Sequence, residues 1–210
     1  SVPGEDISLN LDIRLQKVAT EAMQGESGAV IVMNPKTGEI LAMASFPDFD
    51  PNLFSGGIDQ KNWNRLLANP EHPLENKAIQ GLYAPGSIFK VVTAYAGLAQ
   101  GVITPQTERV CNGYYFIKGR SAPFKCWKEG GHGKVNLIDA IKGSCNVYFY
   151  NTGVGVGVDE IHKYANLFGL GKITGVGLQN EKAGLIPSSK WKKRIFKEPW
   201  YRGETPSAAI

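Results

Sequence analysis

Residues 28–46 read GAVIVMNPKTGEILAMASF, and this stretch limits the possible folds more than any other. Two apolar, β-rich runs flank Asn34-Pro35 and Thr37-Gly38, residues that favour a reversal of direction, so the segment predicts a β-hairpin. Elsewhere the apolar spacing is mostly helical. It predicts a helix from Asp12 to near Gly25 and others over 87–100, 136–143, 146–153 and 158–168. With strands at the front and helices grouped behind, the pattern is that of an α+β chain and not of alternating β-α-β units. Between these elements, 47–80 reads as a long polar loop and 105–135 as irregular. Residues 174–184 read as an exposed strand and turn, and the rest as loop and short helix. At 210 residues the chain can bury one well-formed core, or one core with a small lobe.

Several function classes drop out early. The net charge is only +4, and the longest basic run, in Trp191-Lys192-Lys193-Arg194, lies among aromatics and is followed by Glu198. A solvated face explains it, so no nucleic-acid partner is expected. No apolar stretch approaches a membrane span, and no secretory leader pattern opens the chain. Both ends are abrupt, so a piece of a longer protein is expected. The glycines of 153–158 lack Gly-x-Gly-x-x-Gly spacing and do not join a strand to a helix, which excludes a dinucleotide fingerprint.

Ser87 follows Pro85-Gly86 and precedes an apolar run, with Lys90 one helical turn further on. A hydroxyl becomes a nucleophile when a neighbouring base takes its proton, and a lysine serves when burial lowers its pKa. Ile88, Phe89, Val91 and Val92 are the apolar neighbours expected to supply that burial. The structural alternative is a helix-capping serine and a lysine that reaches water. Ser189 and Lys192 repeat the tetrad among other lysines, where nothing is expected to desolvate the amine. What separates the first copy from the second is Ser144-Cys145-Asn146, downstream between two helical segments. A hydroxyl and an amide there could bond the lysine and hold a substrate's peptide group.

The three cysteines are an odd number, so one disulfide leaves a thiol over. Cys111, Cys126 and Cys145 fall around His132 as Cys-x14-Cys-x5-His-x12-Cys. Three thiolates and an imidazole make a closed tetrahedral set for structural zinc. A Cys111–Cys126 disulfide is the competing reading, as is a merely buried Cys145. His72 and His162 have no comparable neighbours and read as surface residues.

Taken together, NKAIQGLYAPGSIFKV, AVIVMNPKTGEILAMASFPDFDPN and CWKEGGHGKVNLIDAIKGSCNVYFY resemble the penicillin-binding protein transpeptidases over nearly the whole chain. WKKRIFKEPWYRGET points to the penicillin-binding protein 2 group of class B enzymes. The resemblance implies that family's fold, an antiparallel sheet with helices plus a helical subdomain, within one partial domain over 1–210. It also implies Ser87 as nucleophile and Lys90 as its base, with Ser144 and Asn146 completing proton transfer and substrate anchoring. Peptidoglycan stem peptides would be the substrates and β-lactams the inhibitors. Elongation-machinery membrane proteins would be partners through other regions, at the periplasmic face of the bacterial inner membrane. A serine β-lactamase, a β-lactam sensor or a non-catalytic scaffold would share parts of the pattern. The family also uses a Lys-Thr/Ser-Gly after Ser-x-Asn. Here the only such triplet, Lys36-Thr37-Gly38, precedes the nucleophile in the hairpin turn, where turn chemistry explains it. A chain without the later motif is expected to acylate weakly by itself.

Overall fold

The computed structural model describes residues 4–210, which form two compact units. The smaller comprises the segment through Leu82 together with Gly175–Lys182; the larger comprises Tyr83–Thr174 and Ala183–Ile210.

In the smaller unit, helix α1 (Ile13–Ala22) starts where Asp12 accepts a hydrogen bond from the Arg14 N–H. Strands β1 (Gly28–Met33) and β2 (Ile40–Phe46) then form the expected antiparallel hairpin, with Val30 opposite Ala44 and Ile31 opposite Met43. One face of this pair, with Ala42, Ala44 and Phe46 buried, packs on Ala19 and Met23 of the α1 region. The Lys36-Thr37-Gly38 triplet is a turn. Asn34 accepts from the Lys36 N–H through its side chain and from the Gly38 N–H through its carbonyl.

The segment 47–80 is more ordered than its composition suggests. It holds a short 3₁₀ turn (Pro51–Phe54) and the helices α2 (Gln60–Ala68) and α3 (Lys77–Gln80). Each starts on an acidic or amide side chain, Asp50, Asp59 or Asn76, that caps the first free N–H groups. Those residues read as loop formers in sequence, and here they act as helix starts.

The larger unit is mainly helical. A 3₁₀ turn (Gly86–Phe89) runs directly into α4 (Lys90–Ala99). Helices α5 (Leu137–Lys142), α6 (Asn146–Val156) and α7 (Val158–Leu167) follow close to their expected places. The main core gathers Ala94, Ile103, Leu137, Ala140 and the α6 residues Val147, Tyr148, Phe149 and Tyr150. Helix α6 has little amphipathic character because it is buried on most sides; even Thr152 within it is buried, its hydroxyl donating to the Tyr148 carbonyl.

The stretch 105–135 is not irregular throughout. Four short strands, β3 (Arg109–Cys111), β4 (Tyr114–Tyr115), β5 (Phe124–Lys125) and β6 (Gly133–Val135), pair as β3–β6 and β4–β5, both antiparallel. They are too short to show an alternating pattern in sequence. No strand forms over 174–184, where an exposed strand was expected. Its glycines at 175, 177 and 184 adopt positive φ and turn the chain instead. The C-terminal part contains α8 (Ser189–Phe196), a 3₁₀ turn (Arg202–Glu204) and α9 (Thr205–Ala208).

The second Ser-x-x-Lys copy lies on α8, and it differs from expectation. Lys192 is buried at 7% exposure and its Nζ is 2.6 and 2.7 Å from the two carboxylate oxygens of Glu204. Helical geometry turns it inward while Lys190 and Lys193 face solvent. Its charge is held by a carboxylate, and Ser188 rather than Ser189 caps the helix, so no serine–amine pair arises.

Candidate active site

All eight residues expected to carry chemistry lie in the larger unit, and they form two adjoining clusters. The first is centred on the Lys90 amine. Lys90 is the first residue of α4 and only 2% exposed. Its Nζ lies 3.1 Å from Ser87 Oγ, 2.8 Å from Ser144 Oγ, 2.8 Å from the Ser144 carbonyl and 2.6 Å from Asn146 Oδ1. Ser144 Oγ is in turn 2.8 Å from Ser87 Oγ. Ser87 itself is exposed, within the 3₁₀ turn, and makes no capping bond; the N-terminal position belongs to Pro85, which has none to give. The capping role proposed as the structural alternative is therefore not the one the serine plays.

Burial pushes the Lys90 amine below its ordinary pKa. The apolar wall differs from the one expected. Ile88 and Val91 are 77% and 54% exposed and face away, since neighbours in a helix point in different directions. Phe89 and Val92 are buried in a separate cluster with Ile161. The wall near the amine includes Phe149 of α6, whose ring centroid is 5.8 Å from Nζ. Phe149 is 59 positions away in sequence, so local reading could not find it.

Partner chemistry decides what this lysine can do. A neutral amine has two N–H donors and one lone pair. The Ser144 carbonyl and Asn146 Oδ1 accept only, so they take the two hydrogens. The lone pair is left to the two hydroxyls, either of which can deliver a proton to it. The Asn146 amide is oriented from its other end, where Nδ2 donates to the Lys125 carbonyl at 3.3 Å. The Tyr150 hydroxyl donates to that same carbonyl at 3.1 Å.

Ser144 sits where helix α5 ends. The Ser144 N–H donates to the Ile141 carbonyl and the Cys145 N–H to the Ala140 carbonyl, the paired bonds of a Schellman turn. The position such a turn places in left-handed conformation is usually glycine. Here Gly143 falls one residue early, and Ser144 takes φ +49°.

The second cluster brings together Cys111, Cys126, His132 and Cys145, whose ligand atoms all lie within 4.8 Å of one another. His132 Nδ1 is 3.7 Å from Cys111 Sγ and 3.4 Å from Cys126 Sγ. Its Nε2 lies 2.9 Å from the Gly143 carbonyl and donates to it, which leaves Nδ1 as a bare lone pair facing the sulfurs. All three cysteines are free thiols. Gly131 makes the arrangement possible: a Cβ there would stand 2.1 Å from the Cys111 carbonyl, so only glycine lets this loop close on β3. His72 is exposed, whereas His162 is half-buried, with Nδ1 3.0 Å from the Ile186 carbonyl.

Beside this geometry stands the match of the chain to a known family model. Residues 28–205 fit the penicillin binding protein transpeptidase domain. The chain belongs to the penicillin-binding protein transpeptidases. Over 207 residues, 99% of this chain and 31% of the relative, it is 43% identical to the peptidoglycan D,D-transpeptidase MrdA of Acinetobacter baumannii. The chain thus spans about a third of that relative's length. Among solved structures, penicillin-binding protein 2 of Pseudomonas aeruginosa in complex with WCK 5153 superposes with a TM-score of 0.94 at 39% identity, covering 100% of this chain and 46% of that one. The Helicobacter pylori protein in its complex with MreC gives 0.90 at 36%, covering 95% and 37%. Penicillin-binding protein transpeptidases thus account for the α+β fold and for the antiparallel hairpin with helices behind it.

Proposed function

We propose that this chain carries the acylating half of a class B peptidoglycan D,D-transpeptidase site, with Ser87 as nucleophile. Ser87 Oγ attacks the carbonyl carbon of the penultimate D-alanine of a stem peptide. Its proton passes to the Lys90 amine, directly or through Ser144 Oγ, and then to the departing amine of the terminal D-alanine. The serine ester that remains is attacked by an amine of a second stem peptide, which forms the cross-link and returns the proton to Ser87. Asn146 holds the lysine and presents its amide beside the substrate's peptide group. A β-lactam would enter by the same attack and remain as an ester. The observation that carries this reading is the single amine within hydrogen-bonding distance of Ser87, Ser144 and Asn146.

Intact-mass and peptide-mapping measurements on the full-length protein with a labelled penicillin test it. One adduct per chain, on the peptide containing Ser87 and lost in Ser87→Ala, is expected. Rapid turnover of a chromogenic cephalosporin would point to a β-lactamase instead. Label that ignores Ser87, or cell growth and labelling unchanged by Ser87→Ala, would favour a scaffold and reject the proposal.

The second cluster is proposed to hold structural zinc through Cys111, Cys126, His132 Nδ1 and Cys145. The donor types support this: four soft or borderline ligands within 4.8 Å, with the imidazole tautomer set by a carbonyl on its far side. Bound there, zinc would tie β3 and the loop before β6 to the start of α6 and leave no position open for catalysis. About one zinc per chain by elemental analysis is expected. No zinc, together with one titratable thiol, would establish the disulfide alternative. The periplasmic face of the inner membrane, and elongation-machinery partners such as the MreC in the Helicobacter pylori complex, belong to the same reading of the whole protein. Among the described residues no helix is long and apolar enough to cross a membrane.

A further inference from the structure

We propose that Trp127 is a positioning residue for Ser144, acting through its indole N–H on the left-handed turn that presents the Ser144 hydroxyl. The inference rests on the acyl-enzyme reading above. Trp127 is 64% exposed, yet its Nε1 lies 3.0 Å from both the Gly143 and the Ser144 carbonyl oxygens. Neither oxygen takes part in the Schellman bonds, which end on the Ala140 and Ile141 carbonyls, and both take side-chain donors. Gly143 receives His132 Nε2 and Trp127; Ser144 receives Lys90 Nζ and Trp127. The indole is the only one of these donors that spans both oxygens.

The geometry gives the tryptophan a specific job. A serine at φ +49° is in a conformation that its side chain disfavours, so surrounding contacts must hold it. If the turn relaxed, the peptide between Gly143 and Ser144 would swing, and Ser144 Oγ would lose its place 2.8 Å from both Lys90 Nζ and Ser87 Oγ. The indole and the His132 ring also meet in a T-shaped contact, with centroids 5.4 Å apart, which helps to orient the indole. Trp127 thus links the Cys/His cluster to the hydroxyl pair without touching the nucleophile.

The test separates a hydrogen-bond role from an apolar wall for ligands. In the full-length protein, Trp127→Phe keeps a ring and loses the N–H; Trp127→Ala loses both. Stopped-flow acylation by a fluorescent penicillin yields the dissociation constant of the initial complex and the acylation rate constant separately. The loss of one neutral hydrogen bond gives roughly a three- to tenfold lower acylation rate constant. That drop is expected in both variants, with the dissociation constant in Trp127→Phe unchanged and both melting temperatures near wild type. If Trp127→Phe acylates like wild type, or if only the dissociation constant rises, the tryptophan is a wall and the proposal fails. A wild-type protein that leaves Ser87 unlabelled would overturn the acyl-enzyme reading itself, and this inference with it.

Discussion

Replacing Ser144 by glycine and by alanine in parallel separates what this residue does for catalysis from what it does to stability. Both variants lose the hydroxyl and with it the same two contacts, to Lys90 Nζ and Ser87 Oγ at 2.8 Å each. Those losses cancel when the two variants are compared. What differs is the backbone. At φ +49° a residue with a Cβ is destabilised by about 1–2 kcal/mol relative to its right-handed form, and glycine is not. Glycine's greater freedom in the unfolded chain offsets about 0.4–1 kcal/mol of that. The net expectation is Ser144→Gly more stable than Ser144→Ala by about 0.5–1 kcal/mol, or about 1–4 °C in melting temperature for a chain of this size. Differential scanning calorimetry measures it. Acylation of Ser87 should fall about 100-fold in both, the usual scale for removing a proton-transfer group. An alanine variant that melts at or above the glycine variant would show that the turn stores no strain. An alanine variant with wild-type acylation would remove Ser144 from the proton path.

Three further outcomes follow from the same geometry. Because burial lowers the Lys90 pKa, the acylation rate should rise with pH through an apparent pKa below the ordinary lysine value of 10.5, and Lys90→Ala should abolish that limb in a pH–rate profile. Burial alone would raise the Glu204 carboxyl, but the Lys192 ammonium and the Tyr201 N–H outweigh it and leave it below its ordinary 4.5. A depressed carboxyl adds stability that is fully present above 4.5 and is lost as pH falls through the lowered value. Acid melting of the wild type should therefore show a loss near and below pH 4.5 that is smaller in Glu204→Gln. Finally, a Cβ on Gly153 would stand 2.3 Å from the Ala209 Cβ, a buried and rigid neighbour. Gly153→Ala should be destabilising by about 1–2 kcal/mol in chemical denaturation, the overpacking penalty exceeding the gain in helix propensity.

The hairpin and the main helices were legible because their apolar spacing is long and regular. The helices within 47–80 were not, since Asp50, Asp59 and Asn76 serve equally as turn formers and as helix caps, and only packing selects between the two. The paired strands of 105–135 run two or three residues each, below the length at which alternation shows. In the site, Ser87 and Lys90 share a face because they are one turn apart, which spacing alone conveys. The Phe149 ring, the Lys125 carbonyl and the Trp127 indole reach the site through tertiary folding. Of these only Trp127 left a trace in sequence, as an aromatic directly after a candidate ligand cysteine.

The left-handed turn explains why Cys145 stands in the middle of Ser-x-Asn. At the boundary between α5 and α6 the chain reverses sharply, so consecutive side chains diverge. Ser144 and Asn146 reach the Lys90 amine, while Cys145, 0% exposed, turns into the sulfur and imidazole cluster. His132 and Trp127 then grip the carbonyls of the same turn from the cluster's side. Movement of the cluster therefore bears directly on the hydroxyl and amide that hold the lysine. A glycine at 144 would form the turn more easily, but it would carry no hydroxyl between Lys90 and Ser87. The left-handed backbone thus accompanies a hydroxyl 2.8 Å from both Lys90 Nζ and Ser87 Oγ, at a position where a turn of this kind favours glycine.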